Sequence, residues 1–179
     1  MVPSSFVNKG TRNSDDGTKA EWTLYKTLKK HQNEQGPMFV FHGQKYEGNE
    51  IDFIQVDMTG VTVYECKGST NPKSASVWKY KKACSQLRKS IDKLGLDCDI
   101  PVKSVVAFPL CKRTPVNHDG DTSILFKDDC EDSLSFNKLL IGSHPAEKLM
   151  LDRYIKVVQR FLDGYHTGGI LQLSSHVRS

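Results

Sequence analysis

Three ionisable side chains occupy positions where a strand pattern calls for core: Asp52 in the segment NEIDFIQVD, residues 49–57, and Glu65 and Lys67 in GVTVYECKG, residues 60–68. β-Branched and aromatic residues alternate on both sides of Met58-Thr59, the pattern of a β-hairpin. A turn centred on Met58-Thr59 pairs Val56 with Val61, Ile54 with Val63, Asp52 with Glu65 and Glu50 with Lys67. One face of the pair is then apolar near the turn and charged at the far end. Directly opposed Cβ atoms lie about 5 Å apart, where two carboxylates repel by roughly 3 kcal/mol at an effective dielectric near 20. Lys67 offsets part of that, a raised carboxylate pKa offsets it differently, and a divalent cation does so more completely. Mg²⁺ prefers carboxylate oxygens, keeps waters and leaves positions for a phosphate, as metal-assisted phosphodiester hydrolysis requires. A three-residue turn with Gly60 in a left-handed bulge would shift the register by one and separate the two carboxylates.

The elements around the hairpin follow from periodicity. Ala20, Leu24, Tyr25 and Leu28 recur at helical spacing and predict a first helix ended by Gly36-Pro37, with Glu21 at the margin of its buried face. PMFVFHG predicts a strand of about five residues. After the hairpin, Ser74 or Ser76 offers an N-cap for a long helix whose packing stripe is Val77, Tyr80, Cys84, Leu87, Ile91 and Leu94. A second stripe, Lys79, Lys82, Gln86, Lys89 and Lys93, runs on the opposite side, with Trp78 beside it. Gly95 closes that helix, IPVKSVVAFPL predicts a buried strand ended by Pro109, and SILFKDD and SLSFNKLLIG predict a short strand and a short helix. A stronger helix follows, with Pro145 near its start and Leu149, Tyr154 or Ile155, Val158, Phe161 and Leu162 on one face. A hairpin plus a strand reached through a helix implies an α/β fold with a mixed sheet.

The 179 residues suffice for one packed domain. The expected division is a flexible lead-in over 1–16, one domain over 17–166 (core 17–109, extension 110–166) and a flexible tail over 167–179. Hydrophobic content of 37% with 26% charged residues is that of an ordinary globular chain, and no apolar run reaches the roughly 20 residues of a membrane span. The N-terminal segment lacks the layout of a secretory signal, so an intracellular location, nuclear or cytoplasmic, is expected. Five scattered cysteines without a C-x-x-C pair suggest reduced thiols rather than zinc or redox chemistry. A net charge of +4 says little by itself about a polyanionic partner, so the distribution of lysines must carry that argument. The six histidines show no ligand spacing and receive no role.

Asp52, the Glu65-Cys66-Lys67 triplet on the next strand, Glu21 on the preceding helix and Gln86 on the following one resemble the PD-(D/E)XK nuclease superfamily. The EIDFI…GVTVYECKG hairpin is similar to its nuclease-related (NERD) branch, and the resemblance covers Gly17 to Pro109. It implies a restriction-endonuclease-like core, αβββαβ, with a mixed central sheet flanked by helices and here extended by C-terminal helices. It also implies that Asp52, Glu65 and the Cys66 backbone carbonyl bind a catalytic Mg²⁺, replaceable by Mn²⁺, with Glu21 completing the shell directly or through water. Lys67 is implied to orient or deprotonate the attacking water, and Gln86 to contact Lys67, the nucleophile or the nucleic-acid backbone. The proline that names the superfamily is absent, since Ile51 precedes Asp52, at a position that is lax in the family.

The expected activity is that of a metal-dependent deoxyribonuclease acting within chains. Lys79, Lys82, Lys89 and Lys93 would contact phosphates, and Trp78 would stack on unpaired bases. The alternative is a catalytically weak or inactive nuclease-fold module that binds nucleic acid or protein within a larger protein. A structural role for the charge cluster is the third reading. Nucleic acid, DNA above all, is the expected partner, with no membrane; further domains of a longer protein and self-association stay open.

Overall fold

A computed structural model describes residues 16–35, 38–46, 49–71, 77–116, 120–141, 148–163 and 170–171. The order is α1 (Asp16–Gln35), β1 (Met38–Tyr46), β2 (Asn49–Asp57), β3 (Gly60–Cys66), α2 (Val77–Leu94), β4 (Val102–Phe108), β5 (Ser123–Phe126), α3 (Lys127–Glu131), α4 (Ser133–Ile141), α5 (Leu151–Asp163) and β6 (Ile170–Leu171). The six strands form one sheet in the order β5-β4-β3-β2-β1-β6. β3, β4 and β5 are parallel, whereas β1, β2 and β6 join through antiparallel pairs. The α2 crossover makes β3 and β4 parallel, because a hairpin turn can only reverse the chain.

Strand alternation sends side chains to two cores. Ile54, Val56, Val61 and Val63 face Tyr80, Ala83, Cys84 and Leu87 of α2 and Tyr154, Val158 and Phe161 of α5. Met38, Val40, Phe53 and Tyr64 face Leu24, Tyr25 and Leu28 of α1 and Phe136 and Leu140 of α4. The result is helix, sheet, helix: an α/β fold with a restriction-endonuclease-like core. No helix among the described residues is long and apolar enough to cross a membrane.

The hairpin adopts the two-residue register. Asp57 faces Gly60, Val56 faces Val61, Ile54 faces Val63 and Phe53 faces Tyr64. The Asp57 carboxylate ties the turn by accepting hydrogen bonds from Thr59 N at 2.7 Å and Thr59 Oγ1 at 2.6 Å. Its other oxygen accepts from Gln55 Nε2, and Gln55 Oε1 accepts from the buried Tyr64 hydroxyl, both at 2.7 Å. Gly60 has φ 133°, and a Cβ there would collide with the carbonyl oxygen of Pro101, which accepts the Val61 N–H at 2.9 Å. Gly60→Ala is therefore expected to lower the denaturant midpoint by an amount equivalent to about 1–3 kcal/mol for the backbone strain alone. A midpoint within error of wild type would contradict this account of the turn.

Several expected boundaries differ. β1 spans nine residues rather than five, because it pairs along the whole of β2. The last helix starts at Leu151 rather than near Pro145, which lies outside the described residues, as do the N-cap candidates Ser74 and Ser76. Of Tyr154 and Ile155, it is Tyr154 that joins Val158 and Phe161 in the core, while Ile155 is 53% exposed. Ile170 and Leu171, within the expected tail, pair with Phe41 and Val40. Asp16 alone of the expected lead-in is described, as the first residue of α1.

Candidate metal and phosphodiester site

β2 and β3 are paired as far as Phe53 and Tyr64; one step further, Asp52 replaces backbone pairing with its side chain. Asp52 Oδ2 accepts the Cys66 N–H at 2.6 Å. On the other side of β3, Lys67 N donates to Ala107 O of β4 at 2.8 Å. Successive residues of a strand bond to opposite neighbours, so the Cys66 carbonyl, like its N–H, faces the β2 side where Asp52 lies. The Asp52 carboxylate and a main-chain carbonyl thus meet at the carboxyl end of β3, where open α/β sheets place their ligands, with Glu65 near enough for its charge to act on Asp52.

Glu65 shares the sheet face of Val61 and Val63, and its side chain is only 10% exposed. Lys67 Nζ donates to Glu65 Oε1 at 2.5 Å and to Gln86 Oε1 of α2 at 3.0 Å. The expected cross-strand pair of Glu50 with Lys67 does not form: β3 ends at Cys66, and Glu50 instead stands opposite Lys45 of β1. Gly68 follows without a side chain, and a Cβ there would collide with the backbone of Asp16 and Gly17. That close approach seats the start of α1 on the end of β3, which brings Glu21 within electrostatic reach of Asp52.

Burial and the charge of Glu65 push the Asp52 carboxyl up to about 8, with Glu21 adding to the rise; the Cys66 N–H and Lys67 act against it. Burial likewise pushes the Cys66 thiol well up, so its neutral side chain packs with the α1-side core and its backbone is what it offers the site. Glu21 Oε2 lies 3.1 Å from His42 Nε2. The His42 ring rests 4.7 Å from that of Phe53 and is almost fully buried. His42, given no role from sequence, thus helps to hold Glu21 in place. The available signal was its position in β1: it continues the Met38, Val40 face, so a polar ring there needs a polar partner from α1.

α2 orients the rest. Lys79 Nζ donates to Ser69 Oγ at 2.8 Å, Lys82 Nζ stands 5.3 Å from the centre of the Trp78 ring, and Gln86 meets Lys67. Lys89 and Lys93 are exposed further along the same stripe, toward the end of α2 remote from Lys67. Their distance follows from the rise of about 1.5 Å per helical residue.

Among the described residues, no three His, Cys, Asp or Glu side chains converge into a ready-made ligand cluster. Mg²⁺ does not require one, because it commonly binds through one or two carboxylates with water and phosphate completing its shell. Asp52, Glu65 and the Cys66 carbonyl suit that ion in donor type. Burial raises Asp52 most and the repulsion from Glu65 adds to it; that repulsion is the charge imbalance a cation would relieve.

A mixed sheet between helices with acidic groups and a lysine at the end of its central hairpin defines a nuclease-like α/β domain. The pattern describing the nuclease-related domain (NERD) matches residues 16–109, just over half of the chain, and the chain belongs to that family. No curated protein matches it.

Proposed function

We infer that this nuclease-related domain is a metal-dependent nuclease that hydrolyses phosphodiester bonds within DNA chains by in-line attack of water. The observation that supports it most is the Lys67 ammonium, which bridges Glu65 and Gln86 beside the Asp52 carboxylate and the Cys66 backbone. Asp52, Glu65 and the Cys66 carbonyl would hold Mg²⁺, or Mn²⁺ in its place, with Glu21 joining directly or through a water. When bound, the ion supplies Lewis-acid charge neutralisation and a water of lowered pKa.

The chain's own groups do the rest. Lys67 has three donors and directs two of them to Glu65 and Gln86, and the third would serve the attacking water or a phosphate oxygen. A preset ammonium meets the negative charge that builds on the phosphate without reorganisation. Gln86 acts by steadying Lys67, and His42 by steadying Glu21. The exposed lysines of α2 neutralise flanking phosphates, the interaction that dominates nucleic-acid affinity.

Circular single- and double-stranded DNA incubated with Mg²⁺, with Mn²⁺ and with chelator tests this reading. Cleavage of circles with either metal and none with chelator is expected. Intact circles beside degraded linear DNA would replace internal cleavage with an end-directed activity, and intact DNA throughout would overturn the nuclease reading.

A further inference from the structure

Beside Lys67, between the end of β3 and the first turns of α2, lies a cavity of about 350 Å³ lined by Lys67, Gly68, Ser69, Trp78, Lys79, Lys82 and Gln86. That volume is at the small end of ligand pockets, the size class of a single small molecule or one polymer unit. We propose that this cavity receives one unpaired nucleotide adjoining the scissile phosphodiester, its base stacked on Trp78, so that the site selects single-stranded DNA.

Trp78 carries the argument. Its side chain is 71% exposed, although the packing stripe of α2, with Tyr80, Cys84 and Leu87, lies buried on the other side of the helix. An indole left in water forgoes the burial that large aromatic rings ordinarily gain. Lys82 stands near the ring, and a cation at that distance holds an indole through its quadrupole. Lys79 is bonded to Ser69, and both line the same cavity. An aromatic platform with ammonium groups around it is the chemistry that binds unpaired nucleotides, the ring taking a base and the lysines its phosphates. A paired base within a duplex has both faces covered by its neighbours, so it cannot offer one to Trp78. Lys67 and Gln86 belong to this cavity as well as to the carboxylate site, which puts the stacked nucleotide next to the bond to be cut. The proposal rests on reading the Lys67 end as a phosphodiester site and adds the strandedness of its substrate.

The test measures binding in chelator, so that affinity is read without cleavage, followed by cleavage with Mg²⁺. The probes are an oligodeoxythymidylate of about 12 nucleotides and a blunt duplex of the same length. Wild type is expected to bind the single strand more tightly, with quenching of tryptophan fluorescence. Trp78→Ala should lose about tenfold in single-strand affinity and little on the duplex, while Trp78→Phe recovers much of the loss. In cleavage, Trp78→Ala should raise KM on single strands and leave kcat nearly unchanged. Because the side chain is exposed, an unchanged melting temperature is expected in both variants. Wild-type single-strand affinity in Trp78→Ala, an equal loss on both probes, or failure of wild type to bind either would overturn the proposal. Binding with the expected discrimination but no cleavage would leave the stacking pocket standing and overturn the nuclease reading. Cleavage with unaltered strand preference in Trp78→Ala would do the reverse.

Discussion

Glu65→Gln and Asp52→Asn are each expected to lose DNA cleavage by about 10³-fold or more, because removing one member of a group that acts as a unit removes most of what the unit does. Both substitutions keep the shape of the side chain, and the amide oxygen introduced by Asp52→Asn would still accept the Cys66 N–H that the carboxylate accepts at 2.6 Å. The fold should therefore survive. Asp52→Asn should in fact melt higher than wild type in chelator at about pH 9. The Asp52 carboxyl is raised in the folded protein to about 8 from its ordinary value of 3.8, so the folded state binds more protons between those values. Stability consequently falls as pH rises through that window, and an asparagine side chain, which does not ionise, escapes the loss. Circular dichroism melts across about pH 5 to 9 read the difference, which should grow with pH. A variant that melts lower at every pH would mean that the carboxylate is structural, and retained cleavage in either variant would remove it from the site.

Lys67→Ala is expected to lower kcat by about 10²- to 10⁴-fold, the range for loss of a positioned proton-transfer or charge-stabilising group. Its effect on affinity is expected to be small by comparison, since the exposed lysines of α2 remain. Gln86→Ala should have a weaker effect in the same direction, because it removes one of the two acceptors that hold Nζ and leaves Glu65 at 2.5 Å. Lys67→Arg keeps a charge but presents a planar fork in place of a tetrahedral donor, so it should recover affinity more fully than turnover. Steady-state and single-turnover kinetics separate these effects. A Lys67→Ala enzyme with unchanged kcat and weakened binding would assign this residue to substrate affinity alone.

The hairpin was legible in the residues themselves, up to one decision. Alternation named the face that carries Asp52 and Glu65, but alternation alone permits both turn lengths. Two contacts accompany the two-residue turn: a tertiary one, in which Pro101 approaches Gly60 so closely that only glycine fits, and a local one, in which the Asp57 carboxylate ties Thr59. The resemblance offered Lys67 as one of three partners for Gln86, beside the nucleophile and the nucleic-acid backbone, and the structure shows the Lys67 contact. The Glu21 to His42 contact was not foreseen: helical spacing put Glu21 only at the margin of a buried face, and the histidine that continues the Met38, Val40 face was given no role. Glu50 failed for a related reason: extrapolating a register beyond Phe53 and Tyr64 assumes the strands stay together, and the Asp52 side chain takes over where the backbone ladder stops. The last helix began later than its pattern suggested because Leu149 and Met150 lie before it, with Leu149 N donating to Met58 O of the hairpin turn at 2.6 Å. That bond draws the chain to the turn instead of into the helix.

The far end of the hairpin is expected to bind a divalent cation. Titration of Mn²⁺ into the wild-type chain and into Glu65→Gln, followed by calorimetry, measures this without reference to any substrate. Saturable binding to wild type that is abolished or greatly weakened in Glu65→Gln is the predicted result; no binding to wild type, or equal binding to both, would contradict it.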